Sequence, residues 1–257
     1  MKQLKAKITE NKKVAAGFYK IRVESAYLAK NTKPGQFFEV KCSDSNKTLL
    51  RRPLGAHRIL KNGIEMLYEV VGRGTQALSG MKAGGELDII GPLGKGFEPF
   101  PGKKHAILVA GGIGVAPLLA LAEKMSIKRP GAHVIIGARN KAGLLCEKEF
   151  KKLGCFVMVS TEDGSKGHKG YATDILNHLL KITGCRSSGI YACGPHPMLK
   201  AVARIARLMN VTCQVSMEEK MACGVGVCLG CPVKVKAGGY KMVCKDGPVF
   251  DGREIAW

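Results

Sequence analysis

The sequence predicts a multi-domain β plus α/β protein. An antiparallel β-barrel covers residues 1–101, a doubly wound parallel sheet covers 102–212, and a small cysteine-bearing segment covers 213–257. Three observations carry this prediction. Short, often alternating apolar runs bounded by glycine turns fill the first hundred residues. Strand and helix patterns then alternate, which calls for parallel strands joined by helical crossovers. Last, four cysteines, Cys223, Cys228, Cys231 and Cys244, crowd a glycine-rich stretch where that alternation stops.

In the first unit, Leu4–Thr9, Tyr19–Ala26, Gln36–Val40, Glu65–Val71 and Glu86–Ile90 read as strands. Pro34-Gly35, Asn62-Gly63, Gly72 and Gly91-Pro92 punctuate them, and only Thr75–Met81 reads as a helix. Several short strands at this spacing suit a small closed barrel. After Pro101-Gly102, Ala106–Ala110 is continuously apolar, as a strand buried on both faces should be. A glycine turn and a helix over 115–125 follow. Strands at 133–138, 156–160 and 189–193 then alternate with helices around 147–152, 173–182 and 197–209. From Thr212 onward no regular pattern is legible.

Of 257 residues, 46% are apolar and 24% charged, so a sizeable core is available. The net charge of +21 admits either a basic, self-repelling surface or an anionic partner. Its lysines are scattered in small pairs such as Lys103-Lys104, without a basic block or an aromatic-interleaved signature, which argues against nucleic acid. The longest uncharged run, His105–Ala122, is broken by Gly111, Gly112, Gly114 and Pro117, so no membrane span is expected. The charged N-terminal decapeptide lacks an apolar signal core, which suggests the cytoplasm. There, ten cysteines point to metal or redox chemistry rather than disulfides.

Cys223, Cys228 and Cys231 follow C-x4-C-x2-C, with Cys244 thirteen residues later, which is the plant-type [2Fe–2S] spacing. Gly224, Gly226 and Gly230 free the backbone to wrap a compact anion. A zinc site is the alternative, although zinc ligands usually come in two close pairs and Cys244 has no close partner in sequence. A second motif, Gly111-Gly112-Ile113-Gly114-Val115-Ala116-Pro117, joins a buried strand to a helix, where a dinucleotide pyrophosphate can meet a helix N-terminus. There a branched side chain at Gly112 should obstruct the pyrophosphate. Cys193-Gly194-Pro195 ends the fourth strand of this unit, at the sheet edge where ligands bind. A structural turn and a core cysteine are the plain readings of these two. In the barrel half, Arg51-Arg52-Pro53-Leu54 and Gly72-Arg73-Gly74-Thr75 could hold a phosphate, or be a solvated pair and a helix start.

Together, RRPLGAHRI, VVGRGTQALS, GPLGKGF, AGGIGVAPLLALAE, CGPHPMLKAV, MACGVGVCLGCPVKV and CKDGPVFDGREI resemble the ferredoxin reductase superfamily. Within it they are similar to the electron-transfer subunits of two-subunit, NAD-dependent dihydroorotate dehydrogenases, over essentially the whole chain. The resemblance implies FAD in the barrel, near Arg52, Pro53, Leu54 and Gly55, with backbone groups of Leu67, Tyr68 and Glu69 facing the ring and Gly74 and Thr75 on the pyrophosphate. It implies NAD(H) at Gly111, Gly112, Ile113, Gly114, Pro117, Cys193, Gly194 and Pro195, and a cluster on Cys223, Cys228, Cys231 and Cys244. Gly55 departs from the superfamily, where Ser or Thr is common, so one flavin contact is missing. Arg139, after the second strand of the α/β unit, is a candidate contact for a 2′-phosphate, so NAD is not separated from NADP.

The implied activity is that of an NAD-dependent oxidoreductase subunit in pyrimidine biosynthesis, with no catalytic residue beyond the cofactors. A flavin must stand between the two-electron nicotinamide and the one-electron cluster. The implied partner is an FMN-containing dihydroorotate dehydrogenase catalytic subunit, in a hetero-oligomer such as a heterotetramer. The alternative is a related flavin/iron–sulfur subunit of a ferredoxin–NADP reductase or soluble hydrogenase complex.

Overall fold

The computed structural model describes residues 1–43, 48–100, 102, 105–126, 131–183 and 188–257. Pro101 at the first domain boundary, Lys103-Lys104 and Cys185 lie outside the described residues.

The first unit contains β1 (Lys2–Ala15), β2 (Phe18–Glu24), α1 (Ala26–Asn31), β3 (Phe37–Val40), β4 (Arg52–Leu60), β5 (Gly63–Glu69), α2 (Arg73–Gly80) and β6 (Glu86–Leu93). The strands close an antiparallel barrel in the order β1-β2-β5-β4-β3-β6. Closure pairs every strand on both sides, save where β4 and β5 part beyond Ala56–Met66. Alternation turns Ile8, Ile21, Val23, Phe38, Val40, Ile64, Met66, Tyr68, Leu87 and Ile89 into one interior cluster.

The second unit contains β7 (His105–Gly111), α3 (Val115–Ser126), β8 (His133–Ala138), α4 (Glu147–Lys152), β9 (Phe156–Thr161), β10 (His168–Lys169), α5 (Ala172–Thr183), β11 (Ser188–Cys193), α6 (His196–Leu208) and β12 (Thr212–Ser216). These strands form a parallel sheet. Its two faces bury separate clusters. Ile107, Val109, Ile190 and Ala192 meet α5 and α6 on one side, while Leu108 and Ala110 meet α3 and Phe150 on the other. The C-terminal stretch adds β13 (Pro232–Lys234), β14 (Tyr240–Met242), α7 (Val243–Asp246) and β15 (Val249–Asp251).

The structure differs from the sequence reading at several points. The barrel half has a second helix, α1, a short one capped by the Ser25 hydroxyl, which accepts the N–H of Leu28 at 3.3 Å. Its six residues are too few for a helical period to show. Strand β4 carries the Arg52-Pro53 motif, whose charge and proline mask the alternation of Leu54 and Ala56. Pattern does not dissolve at Thr212, because β12 pairs parallel with β11. Finally, β15 pairs antiparallel with β12, so the order is β10-β9-β8-β7-β11-β12-β15 and the sheet crosses the 212/213 division. Val233, Val235, Val243 and Ile255 of the C-terminal stretch share one core with Ile107, Leu199, Phe37 and Leu93.

Candidate functional site

The two glycine loops stand back to back. Strands β7 and β11 are neighbours, with Ala110 opposite Cys193. From β7 the chain proceeds to β8 on one side, while β11 lies on the other, so their carboxyl ends frame the reversal of strand order where such sheets bind ligands. Glycine is required there by contact. A Cβ on Gly114 would lie 2.1 Å from the Cys193 carbonyl oxygen, and one on Gly111 would lie 2.7 Å from Pro195 Cδ. Gly194, at φ +157°, would meet the Gly111 backbone at 2.9 Å. Gly112 is different. It has φ +53° but open space where its Cβ would be, so the pinched residue is Gly114 rather than Gly112. Gly112–Gly114 form a 3₁₀ turn, and Pro117 falls in the first turn of α3. Burial pushes the Cys193 thiol up to about 12, which keeps it neutral and unreactive beside the loop.

In the barrel, β4 and β5 pair from Leu60–Gly63 to Ala56–Met66, where their pairing ends. Beyond it, Arg52–Gly55 pair only with β3, and Leu67–Glu69 only with β2. The opening is a slot lined by main chain, and it holds the candidate residues of both strands. Leu67 packs toward the α/β unit, while Tyr68 turns inward and donates its hydroxyl to Asn11 Oδ1 at 2.9 Å. Tyr68 can therefore face the slot only with its backbone. Gly55 has open space at its Cβ position, so the packing does not demand glycine there.

At the start of α2, a Cβ on Gly74 would lie 2.7 Å from Arg52 Nε, so the guanidinium rests against the first turn. The N–H groups of that turn lack intrahelical acceptors and carry partial positive charge. A cation held there is unfavourable alone and favourable around a phosphate, so a pyrophosphate fits this cradle. The Thr75 hydroxyl is already engaged, accepting the N–H groups of Val71 (3.0 Å) and Gly72 (3.3 Å). Only its main-chain N–H remains for a phosphate.

Polar contacts fix the slot against the nucleotide loops. The fully buried His57 of β4 has Nδ1 at 3.2 Å from the Ala116 carbonyl oxygen in α3. Arg58 Nε donates to Glu123 at 2.6 Å, and Lys20 to Glu149 at 3.1 Å. Sequence reasoning missed His57. Burial lowers its pKa to about 4, which leaves the ring neutral and an Nδ1–H free to donate to Ala116.

The four cysteines occupy one loop and the start of α7. Cys228 is exposed, Cys223 half-buried, and Cys231 and Cys244 buried. Cys223 Sγ accepts the N–H groups of Val225 and Cys228, Cys228 Sγ that of Gly230, and Cys231 Sγ that of Cys244, each at 3.4 Å. Burial works to raise the Cys223 pKa, but the converging N–H groups prevail and hold it at about 6. Cys244 goes the other way, to about 12, through burial and the adjacent Cys231 thiol. Thus Cys223 neighbours Cys228, and Cys231 neighbours Cys244, as two thiol pairs. Gly224 and Gly226, at φ +68° and +84°, turn the loop tightly around them. Amide-to-sulfur bonds of this kind stabilise thiolate, and an iron–sulfur group fits the donor set. Among the described residues, no three His, Cys, Asp or Glu side chains are already set at ion-coordinating geometry.

The cysteine loop lies beside the slot. A Cβ on Gly224 would lie 2.8 Å from Glu39 Oε1, and Glu39 stands opposite Pro53 in the β3–β4 ladder. Glu39 is 1% exposed, and neither carboxylate oxygen has a hydrogen-bond partner. Burial raises its pKa to about 7, with the Arg51 guanidinium pulling the other way. A carboxyl with a raised folded-state pKa contributes stability below its unfolded value and loses it as pH climbs through the folded value. Stability relative to Glu39→Gln should therefore fall by about 3 kcal/mol between pH 4.5 and 8. Urea melts of both proteins across that range measure it, and a constant difference would refute it.

No helix among the described residues is long and apolar enough to cross a membrane. The model of the oxidoreductase NAD-binding domain matches residues 108–204, and that of the iron–sulfur cluster binding domain of dihydroorotate dehydrogenase B matches residues 218–256. Similar folds include a structure reported for flavin-based electron bifurcation by an NADH-dependent reduced ferredoxin–NADP oxidoreductase. It is 32% identical, with TM-score 0.86, covering 98% of this chain and 90% of the other. A ferredoxin–NADP⁺ reductase from Neisseria gonorrhoeae, with bound FAD and NADP, shares the fold at 16% identity and TM-score 0.68, over 81% and 92% of the chains. The electron transfer subunit of dihydroorotate dehydrogenase B (NAD(+)) from Caldanaerobacter subterraneus subsp. tengcongensis is 41% identical over 98% of both chains. With that identity over 98% of the chain, the chain belongs to the family of dihydroorotate dehydrogenase B (NAD(+)) electron transfer subunits.

Proposed function

We propose that this chain carries electrons between NAD and an FMN-containing dihydroorotate dehydrogenase catalytic subunit, holding FAD in the β4–β5 slot and a [2Fe–2S] cluster on Cys223, Cys228, Cys231 and Cys244. When bound, the nicotinamide supplies two-electron hydride chemistry, the cluster one-electron chemistry, and the flavin both. One observation supports the reading above the others. The slot adjoins the nucleotide loops through α3 and the cysteine loop through β3, so it lies between them.

The chain's own contribution is binding and orientation. Arg52, with the N–H groups of Gly74 and Thr75, would hold the flavin pyrophosphate. Pro53, Leu54, Gly55 and the backbone of Leu67, Tyr68 and Glu69 would border the ring. Gly111, Gly112, Ile113, Gly114 and Pro117 would admit the NAD pyrophosphate, while Cys193, Gly194 and Pro195 leave room for the nicotinamide. His57 fixes α3 against β4 and so would hold the flavin slot in register with the nucleotide loops. Dihydroorotate oxidation to orotate would occur on the partner, in a cytoplasmic hetero-oligomer such as a heterotetramer.

Purification without oxygen, alone and with the catalytic subunit, tests this. The expected result is a protein with flavin and iron–sulfur absorption, reduced by NADH, that co-elutes with the catalytic subunit and confers NAD-linked orotate formation. A colourless, zinc-loaded chain would overturn it. The high TM-score of the ferredoxin–NADP oxidoreductase structure supports a second reading, a reductase subunit of such a complex. Reduction of ferredoxin without binding to the catalytic subunit would favour that one.

A further inference from the structure

Away from these loops, a pocket of about 400 Å³ opens between α6 and the C-terminal residues. Its lining is Lys200, Ala203, Arg204, Arg207, Lys236, Gly252, Ala256 and Trp257, so every charged side chain in it is a cation. Lys200, Arg204 and Arg207 recur at i, i+4 and i+7 and share one face of α6. Lys236 approaches from the opposite wall, fixed by its N–H bond to the Glu254 carbonyl at 2.9 Å. The floor is small and close-packed, since a Cβ on Gly252 would lie 3.3 Å from Ala203 Cβ.

Trp257 is half-buried and held in place. Its indole N–H donates to the Gly252 carbonyl at 3.0 Å, and the His196 ring meets it edge-on at 5.4 Å between centroids. Gathering four cations around a concavity is unfavourable by itself. An anion relieves that repulsion. Guanidinium forks match phosphate, and an indole offers a flat apolar surface to a planar ring. The volume is within the range of small-molecule sites.

We propose that this pocket binds a nucleoside monophosphate, with the phosphate on Arg204, Arg207, Lys200 and Lys236 and the base against Trp257. It shares no residue with the FAD, NAD or cysteine sites assigned above.

Trp257 is the only tryptophan of the chain, so its emission reports on this pocket alone. The cofactor-loaded protein should be titrated with uridine and adenosine 5′-monophosphates and with inorganic phosphate, by fluorescence and by calorimetry. At least one nucleotide should give saturable quenching. The double variant Arg204→Gln/Arg207→Gln should weaken it at least about tenfold, the equivalent of one lost charged hydrogen bond, while retaining wild-type flavin and iron. Inorganic phosphate should compete only weakly. Three outcomes would overturn the proposal. They are no saturable signal from either nucleotide, undiminished binding by the double variant, or phosphate binding as tightly as both nucleotides, which would indicate a plain anion site.

Discussion

Gly114→Ala should abolish NADH-dependent flavin reduction while leaving flavin and iron bound. The added Cβ would lie 2.1 Å from the Cys193 carbonyl oxygen, 2.4 Å from its carbon and 2.8 Å from the Gly194 nitrogen. All three are backbone atoms, so no side-chain rotation relieves the overlap. Either α3 retreats or the Cys193-Gly194-Pro195 turn does, and the two halves of the nucleotide site separate. A shift near 1 Å at such a site is enough for about a hundredfold loss, and this substitution demands more. Stopped-flow reduction over a range of NADH concentrations measures it. Gly112→Ala is the control. Its Cβ meets no protein atom, so any loss it causes comes from the positive φ or from contact with the pyrophosphate, not from forcing the two loops apart. Equal rates for wild type and Gly114→Ala would mean that the loops do not form a nucleotide site.

Cys228→Ser should remove the cluster and stop transfer to the partner, with NADH still reducing the flavin. Cys228 is the exposed member of the four, so the substitution changes ligation without opening a cavity. A hydroxyl is a far poorer metal ligand than a thiolate at neutral pH, because it stays protonated. Iron content should fall to at most about half, and partner reduction by about a hundredfold or more, equivalent to roughly 3 kcal/mol in the barrier. Folding should hold, since Val233, Val243 and Phe250 of the C-terminal stretch remain in the main core. Full iron content together with normal partner reduction would refute the ligand assignment.

The α/β half was legible because its strands are buried on both faces. Ala106–Ala110 reads as one apolar run, and a glycine turn marks where it ends. Spacing alone pointed to the cysteine loop, and the N–H bonds to sulfur explain why its glycines are needed. Other features arise only from tertiary structure. The slot exists because β4 leaves β5 after Ala56–Met66, and no local pattern records a divergence between strands. His57 and Glu39 carry no signal in the sequence, yet each is buried against a distant element, α3 in one case and the cysteine loop in the other. Gly112 and Gly114 are equivalent in sequence, and only the position of Cys193 distinguishes them. The pocket beside α6 combines positions 200–207 with 236 and 252–257, a separation that sequence periodicity does not span.

The antiparallel docking of β15 onto β12 has a consequence for biogenesis. Until Val249–Asp251 is synthesised, β12 is a bare sheet edge, with Gln214 and Ser216 lacking their ladder partners. Exposed edges recruit strands from other chains. The cysteine loop is threaded between β12 and the strand that covers it, so the polypeptide protects its sheet from aggregation only after all four thiols have emerged. Quality control of the nascent sheet and readiness to receive iron thus coincide at one late moment of translation.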